Sequence, residues 1–420
     1  MGKYSNNSCL IYDYGTFVSV AERLARDFGK VYYYSPWKSS FPQAKYNSIG
    51  SGLEGVERVE NFWDYVDDVD LFVFTDVMDG DMQLHLQSLG KRVWGSRKGE
   101  DMELNRIGMK DLLKQLDCPV GNYEVVKGIT NLRLYLMEHD NVWVKINTYR
   151  GDFETFKSVN YQFIETKLDE VENMLGILRE IVEFICEDDL EDKIELAYDG
   201  YTVDGVFPAR SLCGIEIKDM GYIGSCKEYS ELPKPVTEFN SKMAPILKRY
   251  NYRNFFHPEM RIGKDGLGYV IDPCCRFGSP PSEIYQELFT NFSDILFDGA
   301  GGKCVDPMAQ GKFVVEIIIR CNWAERNWLP VLRPDKYKKQ IKFRNVMVQD
   351  DVHYIVPQYL GLPEIGSAIS IGDSIEKCIE DIEAICEEIK GFYIETPTES
   401  LAKAQEEIKK FKSFGYNFFE

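Results

Sequence analysis

Two acids and two arginines lie around one predicted turn. Glu259 lies seven residues before Gly266 and Asp272 lies six residues after it. The flanking segments HPEMRI and YVID, joined by GKDGLG, are typical of a β-hairpin. Antiparallel pairing about this turn can bring the two carboxylates side by side. Their natural partner is a hard cation such as Mg²⁺, which takes oxygen ligands and often bridges to phosphates. The alternative is a structural salt bridge with Arg261 or Arg276.

Three basic residues occupy positions from which they can reach an anion. Lys145 interrupts the apolar alternation of a predicted strand, residues 141–147, and must find an anionic partner or remain uncompensated. Arg106 and Lys110 are one helical turn apart in a predicted helix, residues 100–117. A solvated helix face is the alternative interpretation for these two residues.

The composition limits the classes of function. The chain has 420 residues, with 68 acids against 49 bases and a net charge of −19, which argues against broad nucleic-acid or anionic-membrane binding. There is no secretory h-region and no apolar run long enough to cross a membrane. Eleven cysteines without C-x-x-C pairs, and only four histidines, make a zinc site or disulfide framework improbable. We therefore expect a cytoplasmic monomer or homodimer.

The elements that must position these residues are strands and helices in alternation. Strands are predicted at 9–13, 31–36, 70–75 and 91–95, and further helices at 166–190, 237–251, 282–300 and 374–391. This alternation predicts a parallel α/β sheet, whose strand carboxyl ends tend to bind ligands.

The hairpin also resembles a known family. An acid, a Gly turn and the return strand VIDPC resemble the metal-binding hairpin of the ATP-grasp ligases, and RFGSP resembles part of the N-x-R-F-G-D-P stretch of the phosphoribosylamine–glycine ligase branch. Residues 93–128 and 366–394 are similar to the same branch. The resemblance implies an α/β (α+β) ATP-grasp fold. The implied domains are a Rossmann-like domain at 1–98, an ATP-grasp domain at 99–300 with a lid-like subdomain at 118–195, and a C-terminal α+β domain at 301–420.

The resemblance also implies a set of site residues. Those that would bind ATP are Arg106, Lys110, Lys145, the adenine-hinge acid Glu195, and Asp199 or Asp204 in place of a ribose acid expected at Gly200. Those that would hold Mg²⁺, with Mn²⁺ as an alternative, are Glu259, Asp272 and Cys274. Arg276 and Lys218 would act at the reaction centre, and the loop 148–158, with Gly151, would be a phosphate lid.

Two positions, in the hairpin and the stretch after it, depart from the family. Cys274 stands where the family has Asn, and Ser279 stands where it has Asp. A sulfur ligand at Cys274 would weaken Mg²⁺ binding. The other interpretations are a water in place of this ligand and a partly degenerate site.

The implied activity is ATP-dependent ligation of a small carboxylate to an amine, through an acyl phosphate. Glycine or another amino acid is the expected carboxylate. Free phosphoribosylamine is not the expected amine, because the turn at 12–18 lacks the family's basic and His residues. The alternatives are a degenerate nucleotide-binding protein that keeps the fold, and a scaffold whose acidic surface binds a basic partner.

Overall fold

The computed structural model describes residues 2–36, 48–148, 155–190, 192–357 and 363–420. Gly151 of the predicted phosphate lid lies outside these residues. The helices are α1 (Val18–Leu24), α2 (Gly80–Ser88), α3 (Asp101–Leu104), α4 (Arg106–Gln115), α5 (Ile129–Glu138), α6 (Tyr161–Leu175), α7 (Lys234–Arg249), α8 (Ser282–Leu288), α9 (Phe292–Ala300), α10 (Ile375–Glu388) and α11 (Ser400–Ser413). Within the described ranges, no helix combines the length and the apolar composition needed to cross a bilayer.

The first sheet is parallel, as the alternation of strands and helices predicted. Its strands are β1 (Tyr4–Tyr12), β2 (Phe28–Tyr34), β3 (Val56–Arg58), β4 (Leu71–Phe74) and β5 (Arg92–Trp94), in the order β3-β2-β1-β4-β5. Ile11 packs in one core with Val20 of α1, whereas Leu10 packs in another core with Leu86 of α2. Both faces are covered, which explains why these strands are nearly continuous apolar runs.

A buried carboxylate closes the turn after β1. Asp13 is fully buried, and its oxygens accept hydrogen bonds from the backbone N–H of Gly15 at 2.9 Å and of Phe17 at 3.1 Å. The hydroxyls of Tyr33 and Thr75 also donate to Asp13, at 2.7 and 2.8 Å. Gly15 has φ +106°, which lets the chain turn this tightly around the carboxylate. These four donors at the edge of the sheet therefore already have an acceptor within the protein.

The second sheet is small and antiparallel. Its strands are β6 (Tyr123–Lys127), β7 (Val142–Ile146), β8 (Thr155–Ser158) and β9 (Glu183–Asp188), in the order β6-β9-β7-β8. The predicted helix 166–190 is wrong in its second half, because α6 ends at Leu175 and Gly176 follows with φ +52°. Phe184 and Cys186 of the following strand β9 instead join the core of the small sheet.

The third sheet carries the predicted hairpin. The remaining strands are β10 (Ile194–Val203), β11 (Arg210–Ile217), β12 (Gly221–Glu228), β13 (Arg253–Ile262), β14 (Gly268–Cys274), β15 (Phe313–Arg320), β16 (Leu329–Val331), β17 (Ile341–Phe343), β18 (Val346–Gln349), β19 (Val352–Ile355) and β20 (Glu364–Gly372). Eight of them form one sheet, in the order β14-β13-β10-β11-β12-β15-β20-β17, and β16, β19 and β18 form a separate small sheet. The large sheet contains strands from both sides of residue 300, where a domain boundary was expected. The domain boundaries stay predictions.

Two predicted helices are interrupted. The helix expected at 100–117 is divided at Asn105, whose side-chain oxygen accepts from the N–H of Gly108 at 2.9 Å and caps α4. The helix expected at 282–300 becomes α8 and α9, because Thr290 donates its N–H to the carbonyl of Met308 instead of continuing the helix. The first interruption places Arg106 at the start of α4.

The closed turn gives a test of the fold. Asp13→Ala should lower the free energy of unfolding by about 2–4 kcal/mol, because it leaves several buried donors without an acceptor. Denaturation with urea measures this change. Asp67→Ala, at an exposed position of the same unit, should change it by less than about 0.5 kcal/mol. Equal stability of the two variants would contradict this account of the turn.

Candidate active site

The hairpin places the two predicted acids directly opposite each other. Glu259 on β13 and Asp272 on β14 are paired residues, with a bulge immediately after Glu259. Burial, and then the nearby carboxylates of Glu195 and Asp272, raise the pKa of Glu259. The pair therefore holds negative charge poorly unless a cation is bound to it.

A cavity of about 120 Å³ lies beside this pair. Its lining includes five carboxylates and two arginines: Glu103, Asp199, Glu216, Glu259, Asp272, Arg106 and Arg276. Tyr222, His257, Cys274 and the turn 278–280 complete most of the wall. Cys274 thus faces the same space as the acid pair. Among the described residues, however, no three His, Cys, Asp or Glu side chains converge as a ready-made metal site, so Cys274 as a third ligand gains no support.

Arg276 is fixed by acids from two other elements. Its Nε lies 3.0 Å from Oε1 of Glu103 on α3 and 3.3 Å from Oδ1 of Asp76, which follows β4. The second oxygen of Glu103 accepts the N–H of Cys275 at 2.7 Å. Sequence reasoning missed Glu103, which is 3% exposed, because an acid in a charged helix is ordinarily expected to face solvent.

Three buried cations surround the other side of Asp272. The Nζ of Lys110 lies 3.1 Å from Oε1 of Glu187, and the Nζ of Lys145 lies 3.8 Å from the same oxygen. Lys145 also donates to the carbonyl of Ile271 at 2.7 Å. Arg106 lies with its Nη2 3.9 Å from Oδ2 of Asp272. Burial lowers the pKa of Lys110, although Glu187 opposes this effect.

These groups include three buried cations. Arg106, Lys110 and Lys145 line one narrow space of about 10 Å³ together with two carboxylates, Glu187 and Asp272. Among the described residues that line this space, three cations therefore face two anions, and buried cations are stabilised by anions close to them. The sequence predicted that Lys145 needs an anionic partner. It did not identify Glu187, because that residue fell in the second half of the predicted helix 166–190.

Other predicted residues have partners within the protein. Glu195 forms an ion pair with Arg261 at 2.7 Å, and Asp204 accepts from Nε and Nη2 of Arg253 at 2.9–3.1 Å. Lys218 is exposed in the turn between β11 and β12. In the described structure, the 120 Å³ cavity and the 10 Å³ space are lined by none of the three residues Glu195, Asp204 and Lys218. Their roles at adenine, ribose and the reaction centre stay predictions.

Asp199, the other candidate for the ribose acid, lies in the wall of the larger cavity. It is 2% exposed, accepts a hydrogen bond from the hydroxyl of Tyr222, and has its Oδ1 3.2 Å from Nδ1 of His257. The glycines of β11 and β12 make this arrangement fit. A Cβ on Gly214 would lie 1.9 Å from the Tyr222 ring, and one on Gly224 would lie 2.7 Å from it.

Comparisons with known proteins find likeness in structure alone. No protein-family model and no curated protein matches the sequence. Phosphoribosylamine–glycine ligase from Thermotoga maritima has a TM-score of 0.70 at 16% identity, over 93% of this chain and 98% of that one. The biotin carboxylase domain of 2-oxoglutarate carboxylase from Hydrogenobacter thermophilus, solved with MgADP and bicarbonate, has a TM-score of 0.67 at 12% identity, over 93% and 92%. L-amino acid ligase from Bacillus licheniformis has a TM-score of 0.61 at 15% identity, over 93% and 99%.

These likenesses extend over most of each chain. They show that this chain has the ATP-grasp fold and is a divergent example of it. The fold predicted from the hairpin is confirmed.

The glycines beneath Tyr222 give a test of the cavity wall. Gly214→Ala should displace the Tyr222 ring and lower the free energy of unfolding by about 1–3 kcal/mol, because the new methyl group overlaps the ring. Gly121→Ala is the matched control, since its methyl group meets nothing closer than 3.8 Å. Thermal denaturation compares the two variants. A Gly214→Ala protein as stable as the control would contradict the position of Tyr222.

Proposed function

We propose that this chain is an ATP-dependent carboxylate–amine ligase that releases ADP. The observation that carries the proposal is the group of buried cations, Arg106, Lys110 and Lys145, next to the paired carboxylates Glu259 and Asp272. These cations would hold a polyphosphate, and a metal ion bound with it would offset the charge of the acid pair. Two of the similar structures are named as ligases, and a third was solved with MgADP.

The residues present fit Mg²⁺. Mg²⁺ in phosphate-handling sites is usually held by one or two carboxylates and by substrate oxygens, rather than by a complete protein cage. Two opposed carboxylates match that pattern. When bound, Mg²⁺ would link Glu259 and Asp272 to the phosphates and offset their charge. Nothing in the donor set favours Mn²⁺.

The chemistry follows from the positions of the side chains. A carboxylate oxygen of the substrate attacks the γ-phosphorus of ATP, the bond to the bridging oxygen breaks, and ADP leaves with the electron pair. Arg106, Lys110 and Lys145 stabilise the charge on the phosphates during this step. The neutral amine then attacks the carbonyl carbon of the acyl phosphate, and a tetrahedral oxyanion forms. Its collapse breaks the bond to the phosphate oxygen, phosphate leaves with the electron pair, and the nitrogen loses one proton to solvent. Arg276, oriented by Glu103, donates to that oxyanion.

The acceptor amine is not phosphoribosylamine in this proposal. The phosphate of phosphoribosylamine would need free backbone donors at the turn after β1. In this turn the N–H groups of Gly15 and Phe17 already donate to Asp13. A second anion beside this buried carboxylate would be repelled and would find these donors occupied. The carboxylate substrate is glycine or another small amino acid.

The acid pair gives the first functional test. Asp272→Asn should abolish ADP release that depends on both an amino acid and an amine, because the carboxylate that would bind the cation becomes a neutral amide. The matched control is Asp265→Asn in the exposed hairpin turn, where the amide oxygen can still accept from the N–H of Leu267. A coupled assay for ADP measures both variants. Full activity of Asp272→Asn would contradict the metal assignment, and ADP release that needs neither acceptor would contradict ligation.

The buried cations give the second test. Lys145→Met should weaken ATP binding at least tenfold, since one of three buried positive charges is lost while the shape of the side chain is largely kept. Lys167→Met, at a partly exposed position of α6 in the same unit, is the control. Calorimetry with ATP and Mg²⁺ measures the affinity. Equal affinities for the two variants would exclude Lys145 from the nucleotide site.

A further inference from the structure

We propose that the 120 Å³ cavity binds a small, unphosphorylated substrate through its ammonium group, with Glu216 as the anion that receives it. This inference rests on the proposed ligase function. The ammonium can belong to the amino acid or to the acceptor amine, and the experiment below distinguishes these two sources.

Glu216 is the carboxylate of the cavity that no cation neutralises. Glu103 is paired with Arg276, and Asp272 lies near Arg106. Asp199 accepts from Tyr222 and faces His257. Glu259 belongs to the proposed cation pair. In the described part of the chain, the carboxylate of Glu216 has neither an ion pair nor a hydrogen bond.

Several acidic side chains act on Glu216. After burial, the carboxylates of Glu195, Asp219, Asp199 and Glu364 raise the pKa of Glu216. The residue lies on β11, opposite Tyr222 of β12, with its side chain in the cavity wall. A half-buried carboxylate among acids is stabilised by a positively charged ligand.

The charges of the described cavity residues agree with this. Among them, five carboxylates face two arginines, which is an excess of three negative charges when all are ionised. A divalent cation at Glu259 and Asp272 would offset two of these charges. The remaining negative charge of this described set matches one ammonium group.

A second observation independently indicates a ligand in this cavity. His257 is 3% exposed and lines the cavity, and its Nε2 has no hydrogen-bond partner among the described residues. Its Nδ1 lies 3.2 Å from Oδ1 of Asp199 and 3.2 Å from the hydroxyl of Tyr285. Because a carboxylate oxygen accepts, Nδ1 carries the ring proton, and Nε2 offers a lone pair. A buried acceptor of this kind requires a donor, and an amine or hydroxyl of the substrate can provide it.

The glycine beside His257 leaves space next to this lone pair. A Cβ on Gly278 would lie 3.3 Å from Nε2, within the turn that also lines the cavity. A cavity of about 120 Å³ admits a small group only. The substrate group that enters is therefore of the size of glycine or ethanolamine.

The experiment measures binding of four probes to the full chain by calorimetry, with a non-hydrolysable ATP analogue and Mg²⁺ present. The probes are glycine, ethanolamine, acetate and ethylene glycol. We expect glycine or ethanolamine to bind, and the two probes without an ammonium group to bind at least tenfold more weakly. Binding of glycine alone assigns the ammonium to the amino acid, and binding of ethanolamine assigns it to the acceptor.

Two variants locate the site. Glu216→Gln should weaken binding of the ammonium probe at least tenfold while the affinity for the ATP analogue stays unchanged. His257→Asn, which keeps a donor near Asp199 but removes Nε2, should weaken it severalfold. Glu57→Gln, at an exposed position of β3, is the control and should bind as the unchanged chain does.

Three outcomes overturn the inference. They are equal binding of acetate and glycine, undiminished ammonium binding by Glu216→Gln, and no binding of any probe at millimolar concentration. If the ATP analogue binds in these cases, the proposed nucleotide chemistry stands and the ammonium site alone fails. If the ATP analogue does not bind to the unchanged chain, the proposed function fails, and the probes are then measured without nucleotide to judge Glu216 separately.

Discussion

Three buried cations surround two carboxylates where the small sheet meets the hairpin, and the charge of this group is the constraint on which the proposed site depends. Arg106 comes from the start of α4, Lys145 from β7, and the carboxylates of Glu187 and Asp272 from β9 and β14. Burying like charges is costly unless opposite charge is brought close to them. In the proposed function this group receives an anion, and the adjacent acid pair receives a cation.

A second charged region adjoins this junction and shares Arg106 and Asp272 with it. In that region, acids outnumber bases among the described residues that line the larger cavity. Glu103 fixes Arg276 in the wall of this cavity, and the ring of Tyr222, which also lines it, lies over Gly214 and Gly224. In the proposed function, the buried cations hold the polyphosphate of ATP. The acidic cavity holds the ammonium group of the substrate. The carboxylate of Asp13 meanwhile occupies the donors at the edge of the parallel sheet.

The sequence predicted features set by local pairing and missed those set by distant packing. The opposition of Glu259 and Asp272 follows from one short turn, so counting residues from Gly266 was enough. The burial of Lys145 follows from strand alternation. Glu187, Glu103 and His257 gave no such signal, since their partners lie 28 residues or more away in the chain or their strand was read as helix. Cys274 stands where the ligases that the hairpin resembles have Asn, and it faces the cavity, but the described residues give it no support as a third metal ligand.

The most direct measurement is a crystal structure of the chain with a non-hydrolysable ATP analogue and Mg²⁺. The account predicts the terminal phosphates between Arg106 and Lys145, with the metal bound by Glu259 and Asp272. A nucleotide bound at another surface, or a metal that contacts neither carboxylate, would contradict the central claim. That claim is that the buried cations and the adjacent acid pair form a nucleotide site.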